Sequence, residues 1–395
     1  MDALSKLLTL PAAEKEARGL GYTPREIFQQ PATWQRTYQL LKGIAPNVEA
    51  YLASAGLNFG NVNHLHVILV GAGTSDYVGR SLSALLQKEW RCAVQTVPST
   101  DLLTNAEDFL LPERTYLWVS FSRSGDSSEG IAALESALAQ HPTIRHLVIT
   151  CNEHGHMARA FQERAKVFGI ILDDEVNDRG LAMTSSFSNM IIAGHCLAHL
   201  RELKRYGELL DVLTSAARQL LPVAADMCER LVQEGFSKVC FLGTGPLKSV
   251  AVESGLKVLE LTAGRVVTFA ESFLGLRHGP LSAIDNETLV VGFLSGDARR
   301  SAFELDLLQE IHAKELTEKY LVIMPEEVEA EARNITKNRI LLDFRQEVAD
   351  FYRPPVDVLV GQLLGLFSSI NHGLKPDAPS PQGAISRVVS HVKIY

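Results

Sequence analysis

The chain has 395 residues, 46% of them hydrophobic, and a formal net charge of −8 at pH 7. This length exceeds a usual single core of about 100–200 residues, and the apolar fraction can fill two cores, which excludes a mainly disordered protein. The negative charge without a basic run argues against general affinity for nucleic acid or acidic membranes. No segment has the pattern of a signal peptide or a membrane span, so we expect a cytoplasmic protein.

The cysteines are scattered along the chain, odd in number and never spaced as a CxxC pair. This pattern predicts neither a disulfide framework nor a structural zinc site, and we expect reduced thiols in the core. The five positions are Cys92, Cys151, Cys196, Cys228 and Cys240.

The first 57 residues carry helical periodicity, and Thr23-Pro24 is typical of a helix start. From residue 64 onward, short apolar runs alternate with helical stretches, as buried parallel strands do in an α/β domain. The predicted helices cover 5–18, 23–30 and 31–55, and the predicted strands cover 66–70, 93–97, 115–121, 146–150 and 167–172.

The strand-and-loop series then recurs. The segment 238–245 repeats 66–73 after about 172 residues, and 288–297 repeats 116–126 after about 171. A near-constant offset in separate segments indicates an internal duplication. We therefore predict two doubly wound α/β domains, with ligand crevices beyond the carboxyl ends of their strands. Further strands of the second series are predicted at 320–324 and 339–344.

These patterns divide the chain into four predicted parts. The last part begins with a segment rich in Gly and Pro and ends with a segment whose pattern is typical of a β-strand. We expect a helical segment at 1–57, a phosphate-binding domain at 58–205, a linker helix with the second domain and its acid/base residues at 206–372, and a tail folding back at 373–395.

A serine-rich loop directly follows the strand at 115–121 and opens a helix. Its hydroxyls, with backbone amides freed by Gly125, lie at the positive end of that helix, which favours phosphate binding over a plain capping loop. The second repeat keeps the Ser-Gly-Asp turn at 295–297 but not the hydroxyl density, so we predict one phosphate site per chain. The hydroxyls belong to Ser122, Ser124, Ser127 and Ser128.

Two other turns carry hydroxyl groups. The GAGTS turn at 71–75 lacks the later glycine of a dinucleotide fingerprint, so Thr74 and Ser75 are predicted to add hydroxyls around a sugar phosphate. Thr184 and Ser185, in MTSSFSNM, open another helix, where substrate binding and plain capping are equally compatible with the pattern.

Acid and base candidates follow in the second repeat. Glu253, Lys257 and Glu260 share one helix face, as either a solvated ion pair or a catalytic cluster. The following loop carries His278 before a rigid Gly-Pro pair. With a phosphate site, these residues suit aldose–ketose chemistry, because His278 can move the proton that opens a pyranose ring and Glu260 can carry a proton between C2 and C1.

The motifs GAGTS, SRSGDSS, MTSSFSNM, AVESGLKVLELTAG and ESFLGLRHGPL occur in this order. Together they resemble the tandem sugar isomerase (SIS) domains of glucosamine-6-phosphate synthase. They are still more similar to the bacterial galactosamine-6-phosphate deaminase/isomerase family, formerly labelled tagatose-6-phosphate ketose/aldose isomerase. The resemblance covers about residues 40–395 and implies two tandem, mostly parallel-sheet SIS domains with a helical lead-in and a C-terminal tail.

The resemblance also implies roles for individual residues. Glu260 would be the C1/C2 base, His278 would open the ring, and Glu253 and Lys257 would orient substrate hydroxyls or amine. Arg123, where the synthase has a polar uncharged residue, would bind phosphate or cap the helix. The 6-phosphate would be held by Ser122, Ser124 and Ser127, aided by Thr74 and Ser75, and Arg387 is the nearest basic counterpart of the synthase's tail lysine.

The implied activity is conversion of a 2-amino-2-deoxyhexose 6-phosphate, D-galactosamine 6-phosphate, to D-tagatose 6-phosphate and ammonia, without metal or organic cofactor. The synthase begins with a glutaminase domain, whereas this chain begins with a helix, so we expect deamination rather than synthesis. Alternatives are a ketose/aldose isomerase that retains the nitrogen and a non-catalytic sugar-phosphate sensor. The expected partners are the sugar phosphate and further copies of the chain, in a homodimer or larger assembly with sites near the subunit interface.

Overall fold

The chain forms two compact units in the computed structural model, which describes residues 1–57, 64–161, 164–389 and 392–395. We name them after their predicted site residues. The serine-loop unit contains residues 32–178, 185–208 and 385–395, and the carboxylate unit contains residues 1–31, 179–184 and 209–384. The domain boundaries drawn from the sequence remain a prediction.

The N-terminal segment is helical, as predicted. The predicted helix over 5–18 is divided in two, because Pro11 has an extended backbone (φ −57°, ψ 147°) and no N–H to continue a helical ladder. The helices are α1 (Ala3–Thr9), α2 (Ala12–Arg18), α3 (Thr23–Phe28) and α4 (Gln30–Ser54).

The serine-loop unit contains a five-stranded parallel sheet in the order β2-β1-β3-β4-β5. Its central strands are almost wholly buried apolar runs, as a sheet covered on both faces requires. Its elements are β1 (Leu65–Gly71), α5 (Thr74–Trp90), β2 (Ala93–Pro98), α6 (Ser99–Asn105), β3 (Thr115–Ser122), α7 (Ser128–Gln140), β4 (Arg145–Thr150), α8 (His156–Phe161), β5 (Val167–Ile171) and α9 (Ser185–Ala198).

The carboxylate unit contains a second parallel sheet, β10-β9-β8-β6-β7, which has the same topology as the first when read from β7. This equivalence confirms the predicted α/β class with two doubly wound sheets. The elements from the long helix α10 onward are α10 (Leu203–Glu234), β6 (Lys238–Gly243), α11 (Pro246–Leu261), β7 (Val267–Glu271), α12 (Phe273–Leu276), β8 (Thr288–Phe293), α13 (Ala298–Ala313), β9 (Tyr320–Pro325), α14 (Glu329–Ala332), β10 (Arg339–Leu342) and α15 (Pro354–Asn371).

Helix α11, which carries the predicted acid and base residues, packs closely against α15. A Cβ on Gly361 of α15 would lie 2.1 Å from the Ser254 Oγ, and one on Gly365 would lie 2.8 Å from Leu261 Cδ1. The two glycines are four residues apart and therefore lie on one face of α15. Packing against α15 and against the second sheet buries most of α11, including the polar residues Glu253, Ser254 and Lys257.

No helix among the described residues is both long enough and apolar enough to cross a membrane.

Candidate functional site

The serine loop lies at the carboxyl end of β3 and leads into α7. Ser122 and Ser124 are each 8% exposed, and their hydroxyl oxygens accept hydrogen bonds from backbone amides of Gly125 (3.0 Å) and Asp126 (3.2 Å). A hydroxyl that accepts one hydrogen bond still has a proton to donate. The two serines can therefore donate to an anion while they hold the turn.

The segment that follows β4, the strand beside β3, fixes the direction of the loop's peptide groups. Three successive loop carbonyls accept hydrogen bonds from residues 151–157. Because the N–H of a trans peptide points opposite to its carbonyl, the following three amides face away from this segment, and two of them donate to the hydroxyls of Ser122 and Ser124. The bonds are Cys151 N to Arg123 O (3.2 Å), Asn152 Nδ2 to Ser124 O (2.8 Å) and Met157 N to Gly125 O (3.0 Å).

Gly125 and Gly155 make this geometry possible. Gly125 has φ +66°, a left-handed conformation that favours glycine, and a Cβ on Gly155 would lie 2.3 Å from the Ser124 carbonyl oxygen. Ser127 caps α7 by accepting a hydrogen bond from the Gly130 amide. The loop thus places hydroxyl donors at a helix N-terminus, a combination that suits a phosphate group.

The C-terminal tail contacts the same loop. The Ser128 amide donates to the carbonyl of Val389 (3.2 Å), and the buried Arg123 guanidinium donates to the carbonyl of Arg387. The Arg387 guanidinium itself donates to Asn177 Oδ1 (2.6 Å) and to the carbonyl of Asp178 (2.6 Å). In this structure Arg387 anchors the tail within its own unit, and the role of its side chain in binding substrate remains a prediction.

Thr74 and Ser75 lie in the first turn of α5, directly after β1, the strand beside β3. Both are buried and lie at the same edge of the sheet as the serine loop. The neighbouring Asp76 is a residue that sequence reasoning missed. Burial raises the pKa of this carboxyl group, and its Oδ1 has no hydrogen-bond partner among the described residues.

The predicted hydroxyls at the start of α9 have a different environment. Asp178, fully buried, accepts hydrogen bonds from the amides of Ser185 and Ser186 (both 2.9 Å). This carboxylate already provides the negative charge that a helix N-terminus favours. The Thr184 carbonyl accepts from Gln362 Nε2 (3.4 Å) within the carboxylate unit. The contacts at α9 are those of a capping segment, and substrate binding by Thr184 and Ser185 stays a prediction.

The three predicted charged residues of α11 meet in the carboxylate unit. Lys257 Nζ lies 2.6 Å from Glu260 Oε2 and 3.4 Å from Glu253 Oε1. The Lys257 and Glu253 side chains are 0% exposed, whereas the Glu260 side chain is 24% exposed. The ammonium group thus neutralises part of the charge of two carboxylates, and Glu260 alone of the three can meet a ligand without a structural change.

His278 lies in the turn that follows α12 and is exposed. Its amide donates to the Gly275 carbonyl (3.0 Å), and Gly279 after it has φ +127°. Among the described residues, none forms a hydrogen bond with the His278 ring. The preceding Arg277 anchors the turn through Glu310 (2.6 Å), a contact that sequence reasoning did not anticipate.

The predicted site residues therefore fall into two groups, one in each unit. No cluster of three His, Cys, Asp or Glu side chains that could hold a metal ion occurs in the described ranges. The serine-loop unit holds Thr74, Ser75, Ser122, Arg123, Ser124, Ser127, Ser185 and Arg387, and the carboxylate unit holds Thr184, Glu253, Lys257, Glu260 and His278.

Comparison with known proteins shows the family in which these residues occur. The SIS domain family profile matches residues 62–200. D-galactosamine-6-phosphate deaminase AgaS of Escherichia coli O157:H7 is 35% identical over 379 residues, which cover 95% of each chain. The chain belongs to this AgaS family. The fold of the family agrees with the two sheets described above.

Two solved structures are also similar to this member of the family. The crystal structure of tagatose-6-phosphate ketose/aldose isomerase from Escherichia coli has a TM-score of 0.83 and 30% identity, and it covers 94% of this chain and 96% of its own. The C-terminal domain of glucosamine-fructose-6-phosphate aminotransferase from Francisella tularensis has a TM-score of 0.75 and 20% identity, over 91% of this chain and 98% of its own. The second likeness shows a shared fold.

Proposed function

We infer that this chain is an amino-sugar-phosphate deaminase that converts D-galactosamine 6-phosphate to D-tagatose 6-phosphate and ammonia. The relative that is 35% identical is named a D-galactosamine-6-phosphate deaminase. The observation on this chain that carries the inference is the buried Glu253–Lys257 pair beside the accessible Glu260, because proton transfer between adjacent carbons needs a positioned carboxylate.

We assign the residue roles as follows. The serine loop holds the 6-phosphate through Ser122, Ser124 and Ser127, and Thr74 and Ser75 add donors at the same edge of the sheet. His278 moves a proton between the ring oxygen and the C1 hydroxyl, so that the sugar opens to its aldehyde form. The exposure of His278 in this structure suits a group that meets its substrate from solvent.

Glu260 then removes the proton from C2. The electrons of the C2–H bond form a C1=C2 double bond, and the aldehyde oxygen takes a proton from the C2 ammonium group, which becomes a neutral amine. Return of a proton to C1 places the positive charge on a C2 ketiminium group. Water adds to C2 and ammonia leaves as the ketone forms. Lys257, 2.6 Å from Glu260, holds this side chain in position through an ion pair.

A ketose/aldose isomerase is the second candidate, because the Escherichia coli structure that is 30% identical carries that name. The same base and the same C2-to-C1 proton transfer serve both reactions. They differ in whether C2 bears an amine that is lost to water. Release of ammonia therefore separates the two functions.

We place the enzyme in the cytoplasm as a homodimer or larger homo-oligomer. The five cysteines are all free and buried, which agrees with a reducing compartment. Measurement of the molar mass by light scattering tests the assembly.

The function is tested with galactosamine 6-phosphate, glucosamine 6-phosphate and tagatose 6-phosphate as separate substrates, with ammonia and ketose measured together. We expect equal amounts of ammonia and tagatose 6-phosphate from the galacto substrate and slower turnover of the gluco epimer. Aldose formation from tagatose 6-phosphate without ammonia from either amino sugar would favour the isomerase. Inactivity on all three would contradict both functions.

A further inference from the structure

The second repeat keeps a loop that matches the serine loop in part. With the offset of about 171 residues, Ser295 and Gly296 align with Ser124 and Gly125. The Asp297 amide donates to the Ser295 Oγ (3.0 Å), as the Asp126 amide does to Ser124. The loop lies at the carboxyl end of β8 and opens α13, a helix of 16 residues. The local turn of the first repeat is thus preserved.

The partner of the glycine amide differs between the two loops. In the first loop the Gly125 amide donates to the Ser122 hydroxyl. In the second loop, where Phe293 replaces that serine, the Gly296 amide donates to Asp350 Oδ1 (3.1 Å). The Ser295 hydroxyl donates to the other oxygen of the same carboxylate (2.5 Å). A carboxylate from a later segment of the chain therefore lies directly on the turn.

Two arginines complete the surroundings of this carboxylate. Arg300 Nη1 lies 3.0 Å from Asp350 Oδ2, and Arg353 Nη1 lies 3.1 Å from Asp350 Oδ1. Arg353 is fully buried and also pairs with Asp357 (2.8 Å), while Asp350 is 5% exposed. A hydroxyl, a glycine amide, a helix N-terminus and two guanidinium groups form the kind of donor set that binds phosphate.

A cavity of about 550 Å³ opens beside this carboxylate, and Gly296, Arg300 and Asp350 line it together with Arg345. Its position beyond the carboxyl ends of the strands is where open α/β sheets bind ligands. Space for an anion larger than a carboxylate therefore exists next to the donors.

We propose that the Ser295 loop is a second phosphate-class anion site, which the Asp350 carboxylate occupies from within the chain. The internal carboxylate takes the hydrogen bonds and neutralises the cations that a phosphate group would otherwise satisfy. This explains why the Ser-Gly-Asp turn persists although the other hydroxyls of the first loop are missing. Removal of the Asp350 side chain converts the loop into a site for inorganic phosphate.

The test uses Asp350→Ala in a chain that also carries Ser122→Ala and Ser124→Ala, so that the first loop contributes little phosphate binding. The melting temperature is measured in increasing inorganic phosphate and in chloride of equal ionic strength. Without phosphate we expect a lower melting temperature, because Arg300 loses its carboxylate partner and the buried Arg353 keeps only Asp357. Saturating phosphate should raise it by about 4 °C more than in the parent chain.

Two matched variants make the result specific. Asp343→Ala removes another carboxylate that lines the same cavity and should give no added phosphate response. Arg300→Met, combined with Asp350→Ala, should reduce the response. Asp350→Ser is the second variant if Asp350→Ala folds poorly, and its refolding yield in phosphate is compared with that in chloride. The proposal is wrong if phosphate raises neither the melting temperature nor the refolding yield of an Asp350 variant more than it does for the parent chain. It is also wrong if phosphate raises the melting temperature of Asp343→Ala as much as that of Asp350→Ala.

Discussion

Lys257 is an ammonium group buried completely between two carboxylates of its own helix. An unpaired charge in such a place would cost several kcal/mol in lost hydration, so each member of the cluster depends on the others. The position of the accessible Glu260 side chain therefore depends on two residues that solvent does not reach. This dependence can be measured as a change in the free energy of unfolding.

Lys257→Met should destabilise the protein by about 3 kcal/mol or more, because it leaves two carboxylates without their cation. The control is Lys248→Met, the same substitution on the same helix. Lys248 also pairs with a carboxylate, Glu271, but its side chain is 44% exposed, so the loss should stay below about 1 kcal/mol. Urea denaturation measures both. Equal losses of unfolding free energy in the two variants would show that burial of the cluster adds nothing to its effect on stability.

At this scale, spacing along one helix could predict that Glu253, Lys257 and Glu260 meet, since the three share a face. It could not predict Asp178 or Asp350 as partners of helix N-termini. Asp350 reaches Gly296 from 54 residues away, and nothing local in either segment encodes that approach. The Asp350 contact therefore depends on tertiary packing rather than on a repeat or a motif.

At the scale of elements, the serine loop acquires its shape from the segment 151–157, which holds its carbonyls. The close approach depends on Gly155, since a Cβ there would meet the Ser124 oxygen. The geometry of the proposed phosphate site therefore depends on two adjacent strand ends rather than on the serines alone.

Gly155→Ala should weaken phosphate binding at least about tenfold, because a Cβ at 2.3 Å from a backbone oxygen forces the loop to move. The measurement is the dissociation constant of tagatose 6-phosphate by calorimetry. Gly169→Ala is the matched control, since its Cβ would have no atom within 4 Å. A variant at Gly155 that binds as the wild type does would contradict the role of this contact.

Most strands could be predicted because buried parallel strands are continuous apolar runs. Strand β7 was missed, since it lies at the sheet edge, is largely half-buried and carries mixed residues. The helix start at Thr23 was predicted within one residue, but its cap is not the threonine. The Asp377 carboxylate accepts from both the Thr23 amide and its hydroxyl (2.8 Å each).

At the scale of the whole molecule, one duplicated fold places different side chains at matching positions. The first repeat keeps serine hydroxyls at the end of β3, whereas the second has filled the matching place with Asp350 and carries the Glu253–Lys257–Glu260 cluster on α11. The constant offset between the repeats could be read from the sequence. The division of roles could be read only in part, because it depends on which side chains fill each loop.

The central claim is that Glu260 transfers a proton from C2 to C1 during deamination. The most direct measurement uses galactosamine 6-phosphate deuterated at C2, in D₂O, with the product followed by NMR. We predict tagatose 6-phosphate with one deuterium at C1, whether the base retains or exchanges its proton, and a rate at least about a hundredfold lower for Glu260→Gln. Ketose without deuterium at C1, or an undiminished rate in the variant, would contradict the claim.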